Sequence, residues 1–126
     1  MQPHHVFVYG SLRPNEAAFG RLLESVTVSV TDATLRDHAL FGRTLPYPFV
    51  APRQGARVSG ALIELEPAMI DATLRSLDEY EGSSYRRAVV AVETPTGPVD
   101  AHVYLAATDV SLDDADLVDS GDWSNR

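Results

Sequence analysis

Apolar and polar residues along the chain follow two spacings, and each spacing predicts a different kind of element. Val6 to Tyr9 is a continuous apolar run, which is typical of a strand that is covered on both faces. From Val26 onward apolar and polar residues alternate, as they do in a half-buried strand. Similar patterns recur over residues 39–41, 57–65, 85–93 and 99–106, so the sequence predicts roughly five to seven strands.

Two other segments have the spacing of helices. A short helix is predicted from Glu16 to about Leu23, with Asn15 as its N-cap. A longer helix is predicted between Pro67 and Gly82, because proline is tolerated in the first turn of a helix and glycine is common just after the last. Together with the strands, these helices predict an α+β fold, in which a strongly bent mixed or antiparallel sheet closes into a barrel with helices packed on it.

Prolines and one glycine limit where the sheet can be regular. Pro46, Pro48 and Pro52 predict an extended, irregular segment, because proline has no N–H to give to a central strand. Gly60 lies inside a predicted strand and indicates either a bulge or the bend of a small barrel.

The last residues differ in composition from the rest. After Thr108 the chain becomes acidic and polar, and it ends in DSGDWSNR. We therefore expect one domain over residues 1–108 and a loosely ordered acidic tail over residues 109–126, which packs on the domain or extends from it. Trp123 is the candidate anchor for this tail, because a large aromatic side chain gains much from burial.

Composition and charge narrow the range of functions. With 126 residues, 44% of them hydrophobic and 22% charged, the chain has the make-up of a single soluble globular domain. Its net charge of -8 disfavours binding to nucleic acid or to an acidic membrane surface. Because no apolar run is long enough to span a membrane and the start lacks a signal-peptide pattern, we expect a cytoplasmic protein.

Two missing residue types exclude whole classes of chemistry. The sequence has no cysteine, so it cannot use a thiolate nucleophile, a disulfide or a cysteine-ligated metal. All its basic residues are arginine, which also excludes a Schiff base on a lysine. Catalysis would have to rely on hydroxyl groups, histidine, carboxylates and backbone dipoles.

The segment LDEYEG, at the end of the longer predicted helix, carries three carboxylates that differ in direction. Ile70, Leu74 and Leu77 form an apolar stripe along this helix. Helical spacing places Glu81 next on the stripe, Asp78 beside it and Glu79 on the opposite face. The negative end of the helix macrodipole and partial burial would both raise the pKa of Glu81, as suits a general acid–base. The alternative is that the helix has frayed by this point and that Glu81 lies in water.

Two further features are candidates for ligand binding. Successive N–H groups in the turn YGSLR, which begins at Tyr9, could form an anion-binding concavity, although most such turns only reverse the chain. Tyr85 starts a strand four residues after Glu81 and could offer its phenol to a ligand; the alternative is that it simply fills core or interface space. Ser11 is not in a Gly-x-Ser-x-Gly elbow, so serine hydrolase chemistry has no support beyond the residue itself.

Metal binding has little support in the sequence. The four histidines show no spacing typical of metal ligands. The three carboxylates of LDEYEG diverge around the helix, which disfavours a shared hard cation.

The sequence resembles the gamma-glutamylcyclotransferase-like family. The resemblance rests on VFVYGSLRPN at 6–15, VSGALIEL at 58–65, LDEYEGSSYRR at 77–87, AHVYL at 101–105 and SGDW at 120–123. It implies a small mixed β-barrel with flanking helices, and a reaction in which a γ-glutamyl amine or peptide yields 5-oxoproline and a free amine. No metal or other cofactor is needed for that chemistry.

The resemblance also implies roles for particular residues. Glu81 matches the catalytic acid–base, Tyr85 matches a tyrosine that lines the pocket, and the substrate-binding turn is matched by Tyr9, Gly10, Ser11 and Leu12. The expected partner is thus a small γ-glutamyl compound, and the segment from Leu35 to Gln54 is expected to help shape the acceptor side of the pocket. Two alternatives remain: a non-catalytic binding or regulatory module that uses the same pocket, and, more remotely, a metal-dependent hydrolase.

Overall fold

The protein folds around a five-stranded barrel in the computed structural model, which describes residues 2–125. The strands are β1 (His5–Val8), β2 (Thr27–Phe41), β3 (Phe49–Leu65), β4 (Tyr85–Thr94) and β5 (Gly97–Ala106). Around the barrel their order is β1-β3-β2-β4-β5. Because β1 and β5 pair in parallel and the other neighbours are antiparallel, the sheet is mixed, and the predicted fold class is confirmed.

Two helices flank the barrel, close to the predicted positions. Helix α1 spans Ala17–Leu22, and helix α2 spans Ile70–Glu81 after a 3-10 turn at Pro67–Met69. The buried side chains of α2 include Ile70, Leu74 and Leu77, which confirms the predicted apolar stripe. Gly82 follows α2 with a φ of 78°, a conformation that favours glycine.

Alternate residues of β1 contribute to two separate hydrophobic clusters. Phe7 belongs to the cluster that fills the barrel, as does Tyr9 just after the strand, whereas Val6 and Val8 belong to a cluster that includes the stripe of α2. The strand is therefore covered on both faces, as its continuous apolar run predicts. This position brings the end of β1 next to the end of α2.

The proline-rich segment is more regular than the sequence predicts. We expected an irregular stretch through Pro52, but β3 begins at Phe49 and Pro52 pairs with His38 of β2. β1 pairs with β3 only at residues 61–64, so Pro52 lies in an outer part of the hairpin where the lack of an N–H is tolerated.

Gly60 allows two strands to approach closely. The register between β2 and β3 is continuous at Gly60, so the bulge, one of the two alternatives predicted for this glycine, is absent. A Cβ at this position would lie 2.3 Å from the carbonyl oxygen of Val8 and 2.7 Å from the ring of Phe7. The glycine thus holds β1 against β3 just before the chain leaves the barrel at residue 9.

The acidic segment after β5 packs against the barrel. Leu117 forms a bridge with Phe41, and the N–H of Val118 donates to the carbonyl of Leu40. Trp123 is buried in the cluster that fills the barrel, which confirms it as an anchor. The division at residue 108 stays a prediction, and its outer limits, residues 1 and 126, lie outside the described part of the chain.

Within residues 2–125, no helix has both the length and the apolar character needed to cross a membrane.

Candidate active site

A cavity of about 370 Å³ opens where β1 ends, between the end of α2, the start of β4 and residues 47–49. All the residues predicted for the site line this cavity: Tyr9, Gly10, Ser11, Leu12, Glu81 and Tyr85. They come from three segments that are far apart in the sequence. The fold therefore brings the predicted turn, the predicted acid and the predicted tyrosine together.

Glu81 is the last residue of α2 and faces this cavity, whereas Glu79 is exposed. The predicted alternative, a frayed helix end with Glu81 in water, is wrong, because α2 continues to Glu81 and its side chain is mostly buried. Burial raises the pKa of this carboxyl from 4.5 to about 7. Near neutral pH the group can therefore both accept and donate a proton.

The turn after β1 is compact and contacts residues that are distant in the sequence. The N–H of Arg13 donates to the carbonyl of Gly10 over 3.0 Å, which closes the turn. A Cβ on Gly10 would lie 2.5 Å from Cγ of Pro48, so only glycine lets the two segments meet at this distance. Tyr9 is buried, and its hydroxyl donates to the carbonyl of Tyr104.

The hydroxyl of Tyr9 is not a candidate base. Burial raises its pKa well above 10, and the nearby negative charge of Glu81 adds to this effect. The phenol therefore stays protonated and acts as a donor that fixes the turn to β5.

Ser11 lies at the exposed rim of the cavity. Its Oγ and the hydroxyl oxygen of Tyr80 are 2.8 Å apart, so these two residues form a hydrogen bond across the mouth. The guanidinium of Arg21 lies 5.9 Å from the centre of the Tyr80 ring. Tyr80 is not on the apolar stripe of α2, which is why its helical spacing does not identify it as a cavity residue.

Tyr85 holds one wall of the cavity in place. Its hydroxyl donates to the carbonyl of Pro48 over 2.7 Å, and its ring stacks on Phe49 with the centroids 4.9 Å apart and the planes at 14°. Its phenol O–H, which the sequence suggested for a ligand, is thus engaged within the protein. Burial, with a smaller effect of Glu81, raises the pKa of this phenol and keeps it protonated.

Sequence reasoning missed several cavity residues. Besides the predicted ones, the lining includes Phe7, Val8, Tyr47, Pro48, Phe49, Tyr80, Ser84 and Tyr104. The segment 35–54 had been expected to shape the pocket only in general terms. Its prolines were the one available signal, because the wall depends on how β3 folds back on β2.

Asp78, which lies beside the stripe of α2, has a structural role. It accepts hydrogen bonds from the hydroxyl of Tyr104 at 2.7 Å and from Nε of Arg87 at 2.9 Å. Burial alone would raise the pKa of Asp78, but the hydrogen bonds from Arg87 and Tyr104 outweigh it and lower the pKa. The ionised carboxylate thereby ties α2 to β4 and β5.

The network continues through a buried histidine. Nη1 of Arg87 lies 3.1 Å from Nδ1 of His102, and Nε2 of His102 lies 3.2 Å from the carbonyl oxygen of Pro3. Because arginine only donates and a carbonyl only accepts, the geometry assigns the proton of a neutral imidazole to Nε2. Burial, followed by the charge of Arg87, lowers the pKa of His102 and favours this neutral form.

No group of three or more carboxylate or histidine side chains in residues 2–125 has the arrangement of a metal site. Of the cavity-lining side chains in this part of the chain, Glu81 is the one that carries a carboxylate. The cavity therefore holds one carboxyl that can exchange a proton, and this carboxyl lies beside a compact backbone turn.

Comparison with known protein families identifies one whose model matches nearly the whole chain. A family model described as "Gamma-glutamyl cyclotransferase, AIG2-like" matches residues 6–125, which confirms the predicted resemblance. No curated protein matches the sequence.

Solved structures share the fold over most of the chain. The Arabidopsis thaliana protein At3g28950.1 is 28% identical, with 98% of this chain and 70% of that chain covered and a TM-score of 0.68. An AIG2-like protein from Mus musculus is 26% identical, with coverage of 87% and 81% and a TM-score of 0.62. A structure named gamma-glutamyl cyclotransferase is 19% identical, with coverage of 89% and 69% and a TM-score of 0.60, a likeness of fold alone.

Proposed function

We propose that this chain, which belongs to the gamma-glutamyl cyclotransferase, AIG2-like family, releases 5-oxoproline and a free amine from a γ-glutamyl amine or peptide. One observation carries the proposal. A mostly buried carboxyl, Glu81, with a pKa near 7, lines the same cavity as the turn that follows β1. This combination suits a substrate that brings its own nucleophile, since the protein then has to move protons and hold the reacting atoms together.

In the proposed reaction, Glu81 accepts a proton from the α-ammonium group of the glutamyl moiety. The freed α-nitrogen attacks the γ-carbonyl carbon, and the bond from that carbon to the acceptor nitrogen breaks as the five-membered ring closes. Two protons leave the α-nitrogen and two reach the departing nitrogen, which becomes an ammonium ion. One of these protons travels through Glu81, and the reaction needs no oxidant, cofactor or added water.

The turn Tyr9–Leu12 would hold the glutamyl part beside Glu81. Backbone N–H groups suit both the α-carboxylate and the oxyanion that forms on the γ-carbonyl oxygen. The tight closure between Gly10 and Arg13 and the contact with Pro48 would keep these groups in place before the substrate binds. Such preorganisation lowers the cost of orienting the reacting atoms.

The reaction is tested by incubating the protein with a panel of γ-glutamyl amines and dipeptides and separating the products by mass spectrometry. The proposal predicts 5-oxoproline and the free amine in equal amounts. Free glutamate would instead indicate hydrolysis by water and would contradict attack by the α-amine. Tight binding in calorimetry without product would support the alternative, a non-catalytic binding or regulatory module.

A further inference from the structure

We propose that the cavity selects γ-glutamyl amides of aromatic amines whose acceptor part carries no carboxylate, a specificity that rests on the proposed function. Two properties of the cavity wall carry this inference. One is a fixed aromatic surface that extends toward the mouth, and the other is the distribution of charge along the lining.

The difference in exposure between the two ends of the cavity indicates how a substrate would lie in it. Tyr9 is 6% exposed at the deep end, whereas Tyr47 is 65% exposed at the mouth. With the glutamyl moiety beside the turn and Glu81, the acceptor part must run past Pro48 and Phe49 toward Tyr47. The acceptor therefore contacts the wall formed by residues 47–49 and Tyr85.

This wall is flat, apolar and internally braced. The rings of Phe49 and Tyr85 are stacked in nearly parallel planes, and the hydrogen bond from Tyr85 to the Pro48 carbonyl fixes the segment. An aromatic ring on the acceptor would add a further offset or edge-to-face contact to the pair, and it would cover Tyr47. A wall that is already ordered loses little conformational entropy when such a ligand binds.

The charges of the cavity lining disfavour a substrate whose acceptor part carries a carboxylate. No arginine or histidine side chain in residues 2–125 lines the cavity, and lysine is absent from the sequence. The guanidinium of Arg21 lies over the ring of Tyr80, outside the lining. An acceptor carboxylate would thus gain no cationic partner from the lining, and it would share the cavity with the carboxyl of Glu81.

The backbone turn cannot compensate for this lack. Its N–H groups serve the α-carboxylate or the γ-carbonyl oxygen of the glutamyl part, which every substrate carries. We therefore expect neutral acceptor ends to be preferred.

Four compounds separate the two properties. γ-Glutamylphenethylamide and γ-glutamylphenylalanine differ by the acceptor carboxylate, as do γ-glutamylethylamide and γ-glutamylalanine. The two amides differ by the ring. We expect kcat/KM to be at least about tenfold higher for each amide than for its carboxylate partner, and about tenfold higher for the phenethylamide than for the ethylamide.

Two variants locate the effect on the wall. Tyr47→Ala, at an exposed position, is expected to lower kcat/KM for the phenethylamide by about threefold to tenfold and to affect the ethylamide less. Val89→Ala, on the exposed side of β4 and outside the cavity lining, serves as the control and should change neither value.

The outcomes distinguish this inference from the proposed function. Release of 5-oxoproline with equal or better turnover of γ-glutamylphenylalanine would overturn the specificity and leave the reaction standing. If no compound is turned over, the reaction fails, and calorimetry of the four compounds with Glu81→Gln still decides the preference. Tighter binding of the phenethylamide would then support the inference, and equal or reversed binding would overturn it.

Discussion

The hydroxyl of Tyr85 donates to the carbonyl oxygen of Pro48 over 2.7 Å and so joins the start of β4 to the segment before β3. The ring below that hydroxyl stacks on Phe49. The side chain of Tyr85 therefore holds one side of this cavity wall. Gly10 contacts the other side of the wall, at Pro48. The position of this wall sets the width of the cavity.

Removing this hydrogen bond should loosen substrate binding more than chemistry. We expect Tyr85→Phe to raise KM by about threefold to tenfold with a smaller change in kcat, because Glu81 is untouched, and to lower the free energy of unfolding by about 1 kcal/mol. Steady-state kinetics and denaturant unfolding measure both effects. Tyr85→Leu also removes the stack and should raise KM further. An unchanged KM in both variants would show that the wall does not contact the substrate.

Burial of Glu81 should make the stability of the protein depend on pH. The folded protein keeps a proton on Glu81 up to about pH 7, whereas an unperturbed carboxyl loses it near 4.5. Between these values the folded state binds more protons than the unfolded state, so the stability contributed by this group falls as pH rises. Glu81→Gln is expected to match the wild type below pH 4.5 and to be about 2 kcal/mol more stable at pH 8, a figure reduced for partial solvent exposure.

Denaturant unfolding at several pH values measures this difference directly. Glu79→Gln, at the exposed neighbouring position, is the matched control and should show no such trend. A constant difference between Glu81→Gln and the wild type from pH 4.5 to 8 would rule out a raised pKa for Glu81.

The carboxylate of Asp78 should contribute to stability rather than to the reaction. Asp78→Asn removes the charge that pairs with Arg87 while keeping an oxygen that can accept from Tyr104. We expect a loss of about 1 kcal/mol in the free energy of unfolding, because the pair is partly exposed. A double-mutant cycle with Arg87→Met measures the coupling, which should be absent if the two groups do not interact in solution.

Two glycines should respond in opposite directions to the same change. Gly60→Ala places a Cβ 2.3 Å from the carbonyl oxygen of Val8, so β1 must shift, and a loss of more than about 2 kcal/mol is expected. Gly20→Ala, within α1, meets only Oε2 of Glu24 at 3.6 Å and should raise stability by about 0.5–1 kcal/mol. Thermal unfolding of both variants compares them, and equal effects would contradict the close approach of β1 to β3.

Local patterns in the sequence were enough to predict the core elements and the catalytic candidate. The stripe of α2 continues to Glu81, because helical spacing is a property of neighbouring residues. The continuous apolar run of β1 likewise indicates burial on both faces. These features depend on short stretches of chain, and the structure confirms where the side chains point.

The remaining features depend on contacts between distant residues. The wall at Tyr47–Phe49 forms only because β3 folds back on β2 and Tyr85 then reaches Pro48. The link from Asp78 through Arg87 to His102 needs the final register of β4 and β5. No spacing within one segment could have indicated either arrangement.

The most direct test of the central claim is the rate of 5-oxoproline release by the wild type, Glu81→Gln and Glu79→Gln, with folding of each verified by circular dichroism. General acid–base catalysis by Glu81 predicts that Glu81→Gln loses at least about a hundredfold in kcat, while Glu79→Gln retains the wild-type rate. Release of 5-oxoproline by a folded Glu81→Gln variant at the wild-type rate would contradict the role of Glu81.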